Sequence, residues 1–332
     1  MTRQRISVVI PCYNAERFLD ESLRSVLAQT HPVDEIIVVD DGSTDASAAI
    51  ARGLGATCIT LEHNVGPGAA RNRGISAATG DLIAFLDADD YWTETHLADL
   101  SSLLEQYPES PVAFSRIQRF GEDDSISPAS LPEGPPVSLF WQLIDENIVA
   151  QSTTVVRRET LMLHGCYDAA RRYSEDYELW LRLARHYPFV CTNAITAGYR
   201  VHPQQASSNV VHMLSGGWHV KHALWQQAIG AEPPAFVDEL ERRILRAWDA
   251  TLEKAWWDRD RIQFRTALEL HSLVPRSEAS YRRWALRYRS SWRAWLIVTG
   301  VWERLPESAR ALARPALTAV FGPRRQSAPL PH

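Results

Sequence analysis

The chain has 332 residues, 45% apolar and 23% charged, with a net charge of −5, which is the composition of a soluble globular protein with one large core or two small ones. Its cysteines, Cys12, Cys58, Cys166 and Cys191, form no CxxC, the start "MTRQRISVVIPCYN" has no signal-peptide layout, and the late apolar stretch Ala294–Trp302 is far short of the roughly 20 residues of a membrane span. These features argue against a disulfide-built or membrane-spanning chain, and a cytoplasmic location is expected.

Charge is uneven along the chain. Residues 1–212 carry −12 and residues 213–332 carry +7, and nine of the twelve tryptophans lie in the second segment. This shift predicts two parts, 1–212 and a helical 213–332.

In chain order, "ISVVIP" (6–11) is a β-branched run ending at proline and predicts a buried strand. "NAERFLDESLRSVLAQT" follows with Phe18, Leu19, Leu23, Val26 and Leu27 at helical spacing. "EIIVVDD" is a second strand, after which Thr44 or Asp45 is positioned to cap a helix. "ATCITLE" is a third strand, "GPGAARNRGISAATG" a loop running into a helix, and "DLIAFLDADD" a fourth strand. A helix over "TETHLADLSSLLEQY" comes next, with Thr93 as its candidate cap. Strands alternating with helices predict βαβ units and a mostly parallel sheet, and strands apolar throughout suit a sheet covered on both faces. Beyond that, "VAFSRIQRF" reads as a strand, 121–136 as a loop, "SLFWQLIDEN" as a helix and "IVAQSTTVVRR" as a strand. "SEDYELWLRLARHY" reads as a helix in which Trp180 is core, and "AITAGYRVH" as a late strand. Helical patterns then run almost to the end, broken at Pro233-Pro234, Pro275, Pro306 and Pro315.

Four polar clusters, "PCYN", "DDGSTD", "EHNVGPGAARN" and "DADD", sit at the carboxyl ends of the first four strands, where open α/β sheets bind ligands. The first turn, "PCYNAE", has no glycine, and no GK[ST] follows any strand, which excludes a dinucleotide fingerprint and a P-loop. Asp87, Asp89 and Asp90 crowd the end of the fourth strand, and their repulsion calls for a positive partner. A D-x-D pair aimed into a cleft suits Mg²⁺ or Mn²⁺ shared with phosphate oxygens, whereas Asp90 reads equally as a cap or a solvated turn.

The stretches "SVVIPCYNAERFLDESLRSVLAQT", "EIIVVDDGSTD", "HNVGPGAARNRGI" and "GDLIAFLDADD" occur in the order and approximate spacing of family 2 glycosyltransferases. The first 110 residues closely resemble that family, and "SEDYELWLRLA" and "YRVHPQQAS" extend the likeness to about residue 208. The resemblance implies a GT-A (Rossmann-like) fold with a C-terminal helical extension, a nucleotide-sugar-binding half (1–112) and an acceptor half (113–212). It implies an inverting, metal-dependent transfer from a UDP- or dTDP-type donor to a hydroxyl acceptor, glycan or lipid-linked, in bacterial cell-surface polysaccharide or glycan assembly. Pro11, Tyr13 and Asn14 would hold the nucleobase, Asp41 would accept the N3–H of uracil or thymine, and Arg71 would lie near base or phosphates. Asp87 would reach the ribose or a metal water, Asp89 would ligate Mn²⁺ or Mg²⁺, His202 would add a second ligand and Arg200 would contact phosphates. The E-D motif falls on Glu175 and Asp176, with Asp176 as the base and Glu175 orienting the acceptor.

Each residue also has a plainer reading: Arg71 as a surface helix residue paired with a carboxylate, Tyr13 as a cap on the sheet edge, Ser174 or Asp176 as an N-cap, and His202 as a loop residue. Between Arg276 and Arg325 the net charge is +8, interleaved with Trp284, Trp292, Trp295 and Trp302. That pattern suits either a packed helical appendage or peripheral contact with an anionic membrane; no nucleic-acid module accompanies it. A sugar nucleotidyltransferase would need a glycine-rich first loop, and a catalytically inactive scaffold would not need intact D-x-D and E-D motifs.

Overall fold

The computed structural model describes residues 3–121, 134–258 and 260–271. The first part follows the alternation of the sequence: β1 (Ile6–Cys12), α1 (Leu19–Leu27), β2 (Glu35–Asp40), α2 (Ser47–Gly53), β3 (Thr57–Thr60), α3 (Pro67–Ala77) and β4 (Leu82–Phe85). β1 pairs in parallel with β2 on one side and β4 on the other, and β2 pairs in parallel with β3. Ile6, Val8, Val9 and Ile10 are fully buried, each side chain contributing about 1.5–3 kcal/mol by leaving water. α3 lies so close to this sheet that a Cβ on Gly74 would stand 2.4 Å from Val9 Cγ1. A larger residue at that position would force helix and strand apart.

The second part is less regular: β5 (Tyr91–Trp92), α4 (His96–Gln106), β6 (Val112–Gly121), α5 (Phe140–Asp145), β7 (Thr154–Arg157), α6 (Arg158–His164), α7 (Glu175–Ala184) and β8 (Val190–Val201). All eight strands form one sheet in the order β3-β2-β1-β4-β7-β6-β8-β5. β7 runs antiparallel to both β4 and β6, β8 returns parallel to β6 and β5 closes the edge antiparallel to β8. The result is a mostly parallel sheet flanked by helices, with α8 (Val210–Ala228), α9 (Pro234–Trp257) and α10 (Arg261–His271) after it.

Two compact units are present, one through Leu240 and one from Glu241. The composition shift near 212 falls instead at the start of α8, which belongs to the first unit. Within the second unit, Ile244, Trp248, Leu252, Phe264 and Ala267 are buried. The Arg/Trp-rich segment 276–325 and most of the loop 121–136 lie outside the described residues. No helix among those described is long and apolar enough to cross a membrane.

Local departures from the sequence reading have local causes. The helix expected from Thr93 starts at His96 because Tyr91 and Trp92 are held as a strand and the Thr93 N–H bonds to Thr196 O at 2.9 Å. Thr93 therefore caps nothing. Asp45 does not stand at the N-cap of α2, which is Ala46, but accepts both the Ser47 N–H (3.0 Å) and its hydroxyl (2.6 Å). The long strand expected over 148–158 is shortened by a single 3₁₀ turn at Gln151–Thr153 and by α6, which begins at Arg158.

Candidate active site

At the end of β1, Pro11 still pairs with Val39 in register, and the chain turns at Asn14, whose φ is +50°. Asn14 tolerates this left-handed geometry because its side-chain oxygen accepts the Thr44 N–H at 2.9 Å and its own N–H bonds to Ser43 Oγ at 2.9 Å. Tyr13 is thereby held outward and 51% exposed. Burial pushes the neighbouring Cys12 thiol up to about 12, so it is an inert core residue. At the end of β2, the buried Asp41 carboxylate accepts the Val65 N–H (2.8 Å) and the Gly66 N–H (2.9 Å). One backbone donor on each oxygen fixes the loop before α3 and leaves further lone pairs on the carboxylate.

The three aspartates after β4 have three different partners. Asp87 pairs with Arg71 Nη2 at 2.6 Å, and Arg71 Nη1 pairs with Glu175 at 2.7 Å. The Arg71 side chain is only 4% exposed, and its guanidinium lies 5.4 Å from the Tyr167 ring centroid. Burial disfavours its charge, but Asp87 and Glu175 outweigh that and hold its pKa above the ordinary arginine value. The plain reading of Arg71 was thus right about carboxylate pairing and wrong about a surface position. Asp89 meets His202 Nε2 at 3.0 Å. Burial and the Asp87 charge raise its carboxyl above the ordinary value, against the pull of the His202 hydrogen bond.

Asp90 is neither a helix cap nor a solvated residue. It is 1% exposed, and its oxygens accept Ser152 Oγ–H at 2.6 Å and the Arg200 N–H at 3.0 Å. Ser152 Oγ in turn receives the Asp87 N–H at 3.1 Å, so one hydroxyl joins two of the three aspartates. Arg200 is occupied around the same turn: it pairs with Glu21, donates to Asp89 O at 3.0 Å and lies over the Phe18 and Phe120 rings at 4.9 and 4.5 Å. His202 sits against Phe18, with ring centroids 4.8 Å apart, and its Nδ1 is buried without a partner.

α7 begins on the opposite side of Arg71. Glu175 and Asp176 are its first two residues, and the preceding Ser174 has a φ of +58° and makes no side-chain capping bond. The N-cap reading of Ser174 thus holds for position but not for hydrogen bonding. Asp176 Oδ1 accepts the adjacent Tyr177 N–H at 2.7 Å. Its carboxyl is pushed up to about 7 by burial and then by the Glu175 charge, with Arg71 acting in the other direction. Trp180 is fully buried core.

Several residues of this arrangement carried no advance signal in the sequence. Ser152 and Tyr167 have no motif, yet Tyr167 packs on Arg71, its hydroxyl receives Gln151 Nε2–H at 2.8 Å, and Asn72 clips its backbone through N–H and C=O bonds of 2.9 and 2.8 Å. Only Asn72 could have been suspected, as the polar neighbour of Arg71 on α3.

Among the described residues no group of three His, Cys, Asp or Glu side chains closes a metal cage. An under-neutralised carboxylate beside a histidine nevertheless fits a hard divalent cation whose other ligands are phosphate oxygens and water. Asp89, with His202 Nε2 3.0 Å from it, is the carboxylate that would hold one.

Comparison with known proteins bears on the family and the fold. The model of "Glycosyl transferase family 2" matches residues 7–174. The Escherichia coli UDP-Glc:alpha-D-GlcNAc-diphosphoundecaprenol beta-1,3-glucosyltransferase WfaP is 30% identical over 210 residues, 61% of this chain and 80% of WfaP. Coverage of other curated relatives is smaller, 43% and 30% of the length of two of them. Among solved structures, S. aureus TarS in complex with UDP-GlcNAc superposes with a TM-score of 0.62 at 19% identity, over 83% of each chain. The Pyrobaculum calidifontis mannosyltransferase PcManGT, in complex with GDP-Man and Mn²⁺, superposes with a TM-score of 0.58 at 18% identity, over 97% of this chain and 89% of its own. Sheet order, strand-end clusters and family match converge: the chain belongs to glycosyl transferase family 2 and has the GT-A fold.

Proposed function

We propose that this chain is an inverting glycosyltransferase that moves a sugar from a UDP- or dTDP-sugar to a hydroxyl of a glycan or lipid-linked acceptor, in bacterial cell-surface polysaccharide or glycan assembly. The observation that carries the reading is the Arg71 bridge, which joins Asp87 of the acidic turn to Glu175, the neighbour of Asp176. A donor diphosphate at the turn and an acceptor hydroxyl at the start of α7 would then share one cleft.

In this reading residues 1–112 bind the donor and 113–212 the acceptor. Tyr13 lies along the nucleobase, Pro11 and Asn14 shape the backbone beneath it, and Asp41 takes the base N3–H on a lone pair not used by Val65 or Gly66. Asp89 and His202 would hold Mn²⁺ or Mg²⁺, which when bound offsets charge on the departing diphosphate. A phosphate contact by Arg200 would require it to release Glu21. Asp176 accepts the proton as the acceptor oxygen forms its bond to the anomeric carbon and the bond to the diphosphate breaks. A carboxylate raised to about 7 is well matched to that task near neutral pH. Single displacement gives inversion and no sugar–enzyme intermediate. The Arg/Trp-rich 276–325 segment would let a cytoplasmic chain rest on an anionic membrane surface.

Calorimetric titration of UDP, dTDP, GDP and CDP, each with Mn²⁺ and with EDTA, tests the donor site. Metal-dependent binding of UDP or dTDP is expected. Preference for GDP would overturn the role of Asp41, and binding of none would favour a catalytically inactive scaffold.

A further inference from the structure

The residues from Val210 to Ala228 lie beyond the matched stretch, which ends at residue 174, and no motif in them points to chemistry. They form the 19-residue helix α8, with two adjacent glycines, Gly216 and Gly217, in its interior. Glycine weakens a helix interior relative to alanine, so two in succession need a reason. The two sites differ. A Cβ on Gly217 would meet nothing within 4 Å, whereas a Cβ on Gly216 would stand 2.8 Å from Ser174 Oγ, 3.1 Å from Tyr173 O and 3.2 Å from Tyr173 Cβ. Gly216 is glycine because α8 presses its backbone onto the turn that launches α7.

That turn needs outside support. Ser174 is left-handed, at φ +58° and ψ +27°, a conformation disfavoured for a residue with a Cβ, and its hydroxyl makes no capping bond to stabilise it. Its carbonyl accepts the Glu178 N–H at 3.1 Å, a bond of the first turn that carries Glu175 and Asp176. The backbone angles at Ser174 therefore aim both carboxylates. Contacts with α8 flank them on either side: the His212 ring lies 4.7 Å from the Tyr173 ring, and the Lys221 ammonium 5.9 Å from the Tyr177 ring centroid. Arg71 of α3 restrains Glu175 through its ion pair.

We infer that α8 is part of the catalytic scaffold, and that Gly216 is a positioning residue which, by close contact with Tyr173 and Ser174, holds the left-handed turn and so places Asp176. The inference rests on the proposed role of Asp176 as base.

The test compares full-length Gly216→Ala with Gly217→Ala, since both gain helix propensity and only the first meets the turn. Hydrolysis of UDP-glucose and UDP-GlcNAc with Mn²⁺ is measured, water serving as acceptor, beside calorimetric UDP affinity and amide hydrogen exchange at residues 173–178. Gly216→Ala is expected to lower turnover about 100-fold, as a misplacement near 1 Å does. Its UDP affinity should stay within about twofold of wild type, the signature of a group lost only in the transition state. Exchange at 173–178 should quicken in that variant alone, and Gly217→Ala should match wild type in all three. Wild-type turnover by Gly216→Ala, equal losses in both variants, or UDP affinity lost in proportion to turnover would overturn the inference. A wild type that hydrolyses neither donor counts against these two sugars as donors and not against the inference. Exchange then decides, and unchanged protection at 173–178 in Gly216→Ala overturns the inference.

Discussion

Strands β1–β4 and strands β5–β8 share one sheet but are assembled in different ways. β1 to β4 follow one another with a helix between each pair, and all their mutual pairings are parallel. Their polar clusters sit directly after apolar runs, so each can be found from its own neighbourhood. In β5–β8 the strand directions alternate, and the site residues matter through partners far along the chain. Glu175 reaches Arg71 across 104 positions, Arg200 N–H reaches Asp90 across 110, and His202 reaches Asp89 across 113. The first half presents a platform of strand ends, and the second closes on it by ion pairs and hydrogen bonds. Chemistry that needs both depends on those links.

Breaking the links should therefore cost more than altering the platform. Arg71→Ala leaves buried Glu175 and partly buried Asp87 without their cation, and is expected to lower unfolding free energy by about 3–5 kcal/mol in urea titration. A loss under 1 kcal/mol, on the same scale, would mean the bridge is not structural. Asp90→Ala strands the Ser152 hydroxyl and the Arg200 N–H, with an expected cost of about 1–3 kcal/mol. Asp176→Asn should move stability the other way. Its carboxyl has a folded pKa near 7, above the unfolded value, so wild type loses stability as pH rises from the ordinary carboxylate range through 7. The asparagine variant should accordingly melt above wild type at pH 8 and level with it at pH 4. The platform residue Tyr13, half exposed, sharpens the contrast: Tyr13→Ala should change stability by no more than about 0.5 kcal/mol while weakening UDP binding.

The same division explains what could be read in advance. β1 and β2 were legible to within a residue or two because their β-branched runs end abruptly at proline and aspartate, whereas the fourth strand, expected over 81–90, covers only Leu82–Phe85 and gives way to the acidic turn. The acidic turn was legible as a cluster, and the E-D motif as the start of a helix. Its partners were not. Asp90 looked like a cap because the sequence does not say that Ser152, 62 positions later, will lie beneath it. Arg71 reads either as a contact near base or phosphates or, more plainly, as a surface residue paired with a carboxylate, and nothing in the spacing of α3 shows that it packs on Tyr167 and pairs with Glu175. Two-residue β5 exists only through pairing with Gly198 and Ala197 of β8. The residues could be named from their own neighbourhood, whereas the partners they meet across 62 to 113 positions could not.

The proposal on which most depends is that the acidic turn and the start of α7 form one site in which Asp176 takes the acceptor proton. It is tested most directly by the pH dependence of UDP-sugar hydrolysis in wild type and Asp176→Asn, with UDP affinity measured on both. Wild-type turnover should climb with pH, levelling above about 7, because the base must be ionised. The variant should retain UDP affinity while turnover falls by about 10²–10⁴-fold and that rise disappears. A variant that hydrolyses the donor as fast as wild type, with the same pH dependence, would contradict the claim.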